Sequence, residues 1–278
     1  MDFVSSRTRR APRRNHNYSM AYKIRSDTYN YVPGREKPHR LSRSKIDLFV
    51  ECPRCFYLDQ RLGIARPSMP GFTLNIAVDA LFKKEFDAHR ANGTPHPLME
   101  AYGIEAVPLQ HPDIELWRDA LRGGIEYLHP ETGISFRGGI DDVWQAKDGT
   151  LIIVDYKATA GKDEVTLDDK WKEGYKRQME IYQWLFRQNG FTVSDTGYFV
   201  YANGRSDEKA FDGKLEFDVT LLPYTGSTEW IPDTLLALKK ALDSDEVPHK
   251  GKECEYCAYR EAAGKVMVEK FRDGKAKK

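Results

Sequence analysis

Leu151-Ile152-Ile153-Val154-Asp155-Tyr156-Lys157 decides the fold of this chain. Four apolar residues in a row read as a strand covered on both faces, and two charged residues close it. Side chains alternate along a strand, so Asp155 and Lys157 share one face while Tyr156 points to the other. Charges at the end of an apolar strand sit where open sheets place their sites. Upstream, Ile134 to Gln145 forms a second strand, and Lys147-Asp148-Gly149 supplies the hairpin turn between them. That strand carries Gly138-Gly139-Ile140-Asp141-Asp142. A three-residue turn pairs Asp141 with Asp155, whereas a two-residue turn pairs Asp142 with it. Directly opposed side chains lie roughly 4.5–5.5 Å apart at Cβ. Two carboxylates so close call for a cation, and Mg²⁺ binds through one or two carboxylates, waters and phosphate.

A long helix is expected from about Leu167 to Asn189, ending before Gly190. On it Tyr175, Gln178 and Tyr182 share one stripe. Gln178 is then a neutral polar group near the core, able to bond a metal water, a phosphate or Lys157. A helix from about Phe72 to Arg90 carries Leu74, Ala77, Val78, Leu81 and Phe82 at helical spacing. Strands are expected at Gly197–Ala202 and Leu215–Leu222, and a helix at Ile231–Leu242. The alternation of strands and helices gives an α/β class.

The three motifs together resemble the PD-(D/E)XK nuclease superfamily, in particular its RecB-like and CRISPR-associated RecB-type exonuclease branch. The resemblance rests on Gly138-Gly139-Ile140-Asp141, on Asp155-Tyr156-Lys157 and on Tyr175, Gln178 and Tyr182, and it covers residues 41–263. It implies a restriction-endonuclease-like core, a central mixed sheet flanked by helices. It implies DNA as substrate, Mg²⁺ or Mn²⁺ held by Asp141, Asp155 and the Tyr156 carbonyl, and Lys157 acting on the attacking water and the phosphate. Gln178 and Tyr182 would shape the site. Repair, recombination or defence, with a separate helicase or recombination partner, is the setting the resemblance implies. The branch usually has a His or Glu on its first core helix. Here the corresponding residue is Asn75, with Asp79 one turn further on. A catalytically degenerate fold that binds DNA or a partner is therefore the second reading.

Cys52-x-x-Cys55 and Cys254-x-x-Cys257 offer four thiolates, the set a tetrahedral zinc needs. Four thiolates also suit an iron–sulfur cluster. The resemblance points to a 4Fe–4S cluster with one cysteine before the core and three after it. This chain has Ala263 where the last is expected and an extra cysteine at Cys55.

Residues 1–40 lack apolar periodicity and hold ten basic against three acidic residues, on a chain of net charge +1. They are expected to be a disordered basic arm, with Met20 as an alternative start, and 264–278 a basic tail. No apolar run reaches the length of a membrane span, and no secretory leader is visible. With four cysteines in 278 residues, a disulfide scaffold is not expected, and a reducing cytoplasm is. None of the seven histidines is assigned to the site, and Trp144 is read as packing or as a base-stacking surface.

Overall fold

A computed structural model of the chain describes residues 24–68 and 71–276. The basic arm through residue 23, Met20 included, lies outside the described residues. In chain order the elements are β1 (Arg40–Ser42), α1 (Arg43–Glu51), α2 (Pro53–Gln60), α3 (Thr73–Asn92), α4 (Pro97–Ala101), β2 (Ala106–Pro108), α5 (Ile114–Arg118), β3 (Ile125–His129), β4 (Ile134–Gly138), β5 (Asp142–Ala146), β6 (Leu151–Thr159), α6 (Glu173–Gln188), β7 (Thr196–Gly204), β8 (Phe217–Thr225), α7 (Trp230–Asp243) and α8 (Glu255–Ala276).

Two mixed sheets result. The larger runs β2-β5-β6-β7-β8, with only β6 and β7 parallel. The smaller runs β1-β4-β3, with β1 parallel to β4. β6 is central and buried on both faces. Ile153 joins the core under α6 and α7, while Ile152, Val154 and Tyr156 join the core under α3. This is the restriction-endonuclease-like arrangement of mixed sheets flanked by helices.

The expected strand from Ile134 to Gln145 is two strands in two sheets. The break follows Gly138, the last residue of β4, and crowding at Gly138 and Gly139 explains it. A Cβ on Gly138 would come within 2.5 Å of the Tyr182 ring, and one on Gly139 within 2.5 Å of the Ala120 Cα. The chain can pass between α6 and the loop after α5 only because both residues lack side chains. Beyond the break, Ala146 N–H bonds the Thr150 carbonyl at 2.9 Å, closing the three-residue turn. Asp142 then pairs with Val154, and continuing that register sets Asp141 opposite Asp155.

Two further boundaries differ from expectation. α6 starts at Glu173, after a separate 3-10 turn at Lys170–Lys172, because Lys172 is turned inward to the Thr166 carbonyl. The C-terminal segment past Cys257 is the helix α8 through Ala276. At the other end, order starts ahead of Leu41: Tyr31 is buried, bonds the Gln60 carbonyl through its N–H and donates its hydroxyl to Asp243 at 2.5 Å.

Candidate active site

Asp155 is fully buried at the end of the apolar run of β6, on the face toward α6. Gln178 Nε2 donates to Asp155 Oδ1 at 2.7 Å and lies 3.1 Å from the Tyr182 hydroxyl. Lys157 Nζ donates to Gln178 Oε1 at 3.3 Å and forms an ion pair with Asp155 Oδ2. Apart from that ammonium, no donor reaches the oxygen among the described residues. The ammonium also lies over the Tyr175 ring, 4.4 Å from its centroid, a cation–π contact. Tyr175 and Gln178 of the helix stripe thus touch the strand pair Asp155, Lys157, and Tyr182 is joined to it through Gln178.

Asp141 stands at the entry to β5. Its Oδ2 accepts the Tyr156 N–H at 2.9 Å, and Lys83 Nζ lies 3.7 Å from its Oδ1. The same ammonium is 2.9 Å from Asp79. Lys83 of α3 thus stands between Asp79 and Asp141 and links the first long helix to the hairpin carboxylate. Asn75 instead donates its amide to the Ala158 carbonyl at 2.8 Å. Asn75, Asp79, Lys157 and Tyr175 line a small cavity of about 90 Å³ between α3 and α6.

Charge is crowded here. Burial pushes the Asp155 carboxyl up to about 7, against the pull of Lys157 and with Asp141 adding to the rise. Burial works to lower the Lys157 ammonium, but Asp155 and Asp141 outweigh it and hold it above its usual value. Burial and the neighbouring Asp141 also raise Asp79. Two lysines, Lys157 and Lys83, thus stand among three carboxylates, Asp155, Asp141 and Asp79, and a divalent cation would offset the crowded negative charge. Asp155 Oδ2 and the Asp141 carboxylate have donor capacity left, so the residues fit such an ion.

Asp142 goes elsewhere. It is fully buried, bound to Arg90 and Arg118 (3.1 Å for the latter), and its Oδ2 accepts the Tyr156 hydroxyl at 2.7 Å. Arg118 Nε also donates to the Asp141 carbonyl at 3.1 Å, and its Nη1 reaches Asp87 at 2.9 Å. Lys83, Arg90, Arg118 and Asp87 were not picked out from sequence. Lys83 alone carried a signal, its i+4 spacing from Asp79. Trp144 is wholly buried and stacked on Phe86 and Tyr198, so it offers no face to a base.

The four cysteines converge where α2 and α8 begin. Cys55 Sγ lies 3.5 Å from Cys254 and 3.6 Å from Cys257, and Cys52 lies 3.7 Å from Cys257. All four sulfurs fall within 4.8 Å of one another. Zn–S bonds of about 2.3 Å in a tetrahedron need sulfurs about 3.8 Å apart. The donor set therefore fits one tetrahedral ion. Burial works against ionising Cys52, yet the Gly251 and Cys55 N–H groups prevail and draw it down to about 7. Arg66 Nη2 adds a donor to Cys254 Sγ at 3.5 Å.

A buried acid–lysine pair thus closes a central strand, beside a second acid at a hairpin entry and a Gln/Tyr helix stripe, on a mixed α/β scaffold. The PD-(D/E)XK nuclease superfamily pattern matches residues 40–262, and the chain belongs to that superfamily. No curated protein gives a significant sequence match. Among solved structures, the crystal structure of SSO0001 is 16% identical, with a TM-score of 0.39, over 83% of this chain and 86% of that one. Among the described residues no helix is long and apolar enough to cross a membrane.

Proposed function

We propose that the chain is a divalent-metal-dependent, RecB-like nuclease that hydrolyses DNA phosphodiester bonds. The observation that carries this reading is the buried Asp155–Lys157 pair, tied through Gln178 to α6 and facing Asp141. Asp141 and Asp155, with the Tyr156 carbonyl, would hold Mg²⁺ or Mn²⁺, and Asp79 takes the place of the missing first-helix ligand. The bound cation would supply Lewis acidity toward the phosphate and a water of lowered pKa. Lys157 offers its ammonium to the non-bridging oxygens and to the incoming water. Gln178 fixes the Asp155 carboxylate and the lysine at once, so both keep their aim as charge builds on the phosphate. Tyr175 supports the lysine from the other side.

Degradation of single- and double-stranded DNA, with Mg²⁺, Mn²⁺ or neither, tests the reading. Cleavage that needs the cation and vanishes in Lys157→Ala supports it; DNA binding without cleavage by the wild type sinks it. That second outcome would favour a degenerate, DNA-binding fold, for which the commitment of Asn75 to a backbone carbonyl is the motivating observation.

At the cysteines we propose zinc. The sulfurs stand at the spacing of a single ion, and a cubane of four irons needs them spread farther. Such an ion would tie α2 to the start of α8, so chelation should destabilise both ends together. Metal analysis with an absorption spectrum of anaerobically purified protein decides: one zinc and no visible band, against four irons and a brown chromophore.

A further inference from the structure

The chain has five tryptophans, and one of them is poorly explained by packing. Trp117, Trp144 and Trp184 are buried, and Trp230 donates its indole N–H to Glu180. Trp171 leaves 60% of its surface bare. Yet the ring is well held. Its edge meets Tyr175 at 5.5 Å and 81°, and Lys172 Nζ lies 4.9 Å from its centroid. Lys172 is itself fixed, being 5% exposed, paired with Asp169 at 2.8 Å and bonded to the Thr166 carbonyl. An apolar ring of this size, locked in place but left in water, has paid its ordering cost before any ligand arrives.

Its position gives the ligand. Tyr175 is the ring that carries the Lys157 ammonium, so Trp171 stands two contacts from the group that would meet the reacting phosphate. We propose that Trp171 is a stacking platform for an unpaired nucleobase of the strand whose phosphate enters the Asp155–Lys157 centre. This rests on the nuclease reading above and adds a substrate form to it. A base inside a duplex has both faces covered by its neighbours, and only an unpaired base presents a free face to an indole. Stacking of this kind tolerates every base, because each has a π face. The platform therefore selects strandedness rather than sequence.

The test measures binding without turnover, on the full chain with Ca²⁺ in place of Mg²⁺. The probes are a short oligothymidylate, the same strand with an abasic nucleotide at each position in turn, and a blunt duplex. Trp171→Ala should weaken oligothymidylate binding roughly 5- to 100-fold. Trp171→Phe should recover most of it, and quenching of the intrinsic fluorescence by the strand should be lost in both variants. One abasic position should bind wild type and Trp171→Ala equally. Duplex affinity and the thermal midpoint should not move. The platform is wrong if wild type and Trp171→Ala bind the strand alike, if duplex binding falls in parallel, or if wild type binds no single strand. Loss of cleavage in Lys157→Ala is scored separately, so a protein that cleaves DNA without needing Trp171 discards the platform alone.

Discussion

Asp141 and Asp142 are adjacent in sequence and belong to two different regions of the molecule. Asp141 faces the site, with one backbone N–H on one oxygen and a lysine 3.7 Å from the other. Asp142 points into a buried clamp of Arg90, Arg118 and the Tyr156 hydroxyl. The pleat of β5 separates them, and their surroundings then assign their roles. A carboxylate whose lone pairs are filled by fixed guanidinium and hydroxyl donors has nothing left for a ligand. A carboxylate met by a single N–H and a more distant ammonium keeps coordination capacity. The two regions are nonetheless joined, because Arg118 holds Asp142 through one nitrogen and the Asp141 carbonyl through another.

The sharpest way to break this comparison is to remove one acid from each region. Asp142→Ala leaves two guanidinium groups without their buried counter-charge, and should cost about 3–5 kcal/mol of stability in denaturant unfolding. Asp155→Asn leaves the buried Lys157 ammonium to Asp141 alone but also removes a carboxylate that burial disfavours, so it should cost less stability than Asp142→Ala. If both variants unfold alike, the division into clamp and site is wrong.

Function should divide the other way. On the nuclease reading, Asp155→Asn and Lys157→Ala each lower DNA cleavage at least about 10²- to 10³-fold at saturating Mg²⁺, with the fold intact by circular dichroism. Equal cleavage by either variant would place the chemistry elsewhere.

Arg118→Lys probes the join. A lysine keeps the charge but cannot span Asp142, Asp87 and the Asp141 carbonyl together. It should cost about 1.5–3 kcal/mol of stability. It should also raise the Mg²⁺ concentration needed for half-maximal cleavage, since the entry of β5 is no longer pinned. A stability loss without any shift in metal dependence would confine Arg118 to the clamp.

The sequence showed the site face far better than the clamp face, for a physical reason. β6 announces itself by four apolar residues followed by Asp-x-Lys, and the stripe on α6 by helical spacing, both local patterns. The clamp brings together Arg90, Asp142, Arg118 and Tyr156 from four elements, and no local pattern records such a meeting. The break at Gly138-Gly139 was hidden for the same reason, because the crowding comes from Tyr182 and Ala120. Three-residue strands such as β1 and β2 are too short to show alternation. α8 was read as a tail because its apolar residues, Val266, Met267, Val268 and Phe271 among them, are largely exposed and give it little amphipathic character.

The finest separation of the two regions is their opposite response to pH. In the clamp, burial works to raise Asp87, but Arg90 and Arg118 prevail and hold it below its ordinary value of 3.8. A depressed carboxylate stabilises the fold above its unfolded pKa, and that contribution is lost as pH falls through the lower folded value. Wild type should therefore gain on Asp87→Asn as pH rises through the acid range, and the difference should be constant above about pH 5. Asp155 has the reverse sign. Burial lifts it from 3.8 to about 7, so the folded state keeps a proton that the unfolded chain has released. Each step in pH between those values then favours unfolding, and wild type should lose ground to Asp155→Asn from about pH 4 to about pH 7 and level off above it. Denaturant unfolding of the three proteins from about pH 2.5 to about pH 8, without added divalent cation, reads both slopes. Two differences of the same sign would show that the acids share one environment, and the contrast between Asp141's face and Asp142's face would lose its electrostatic basis.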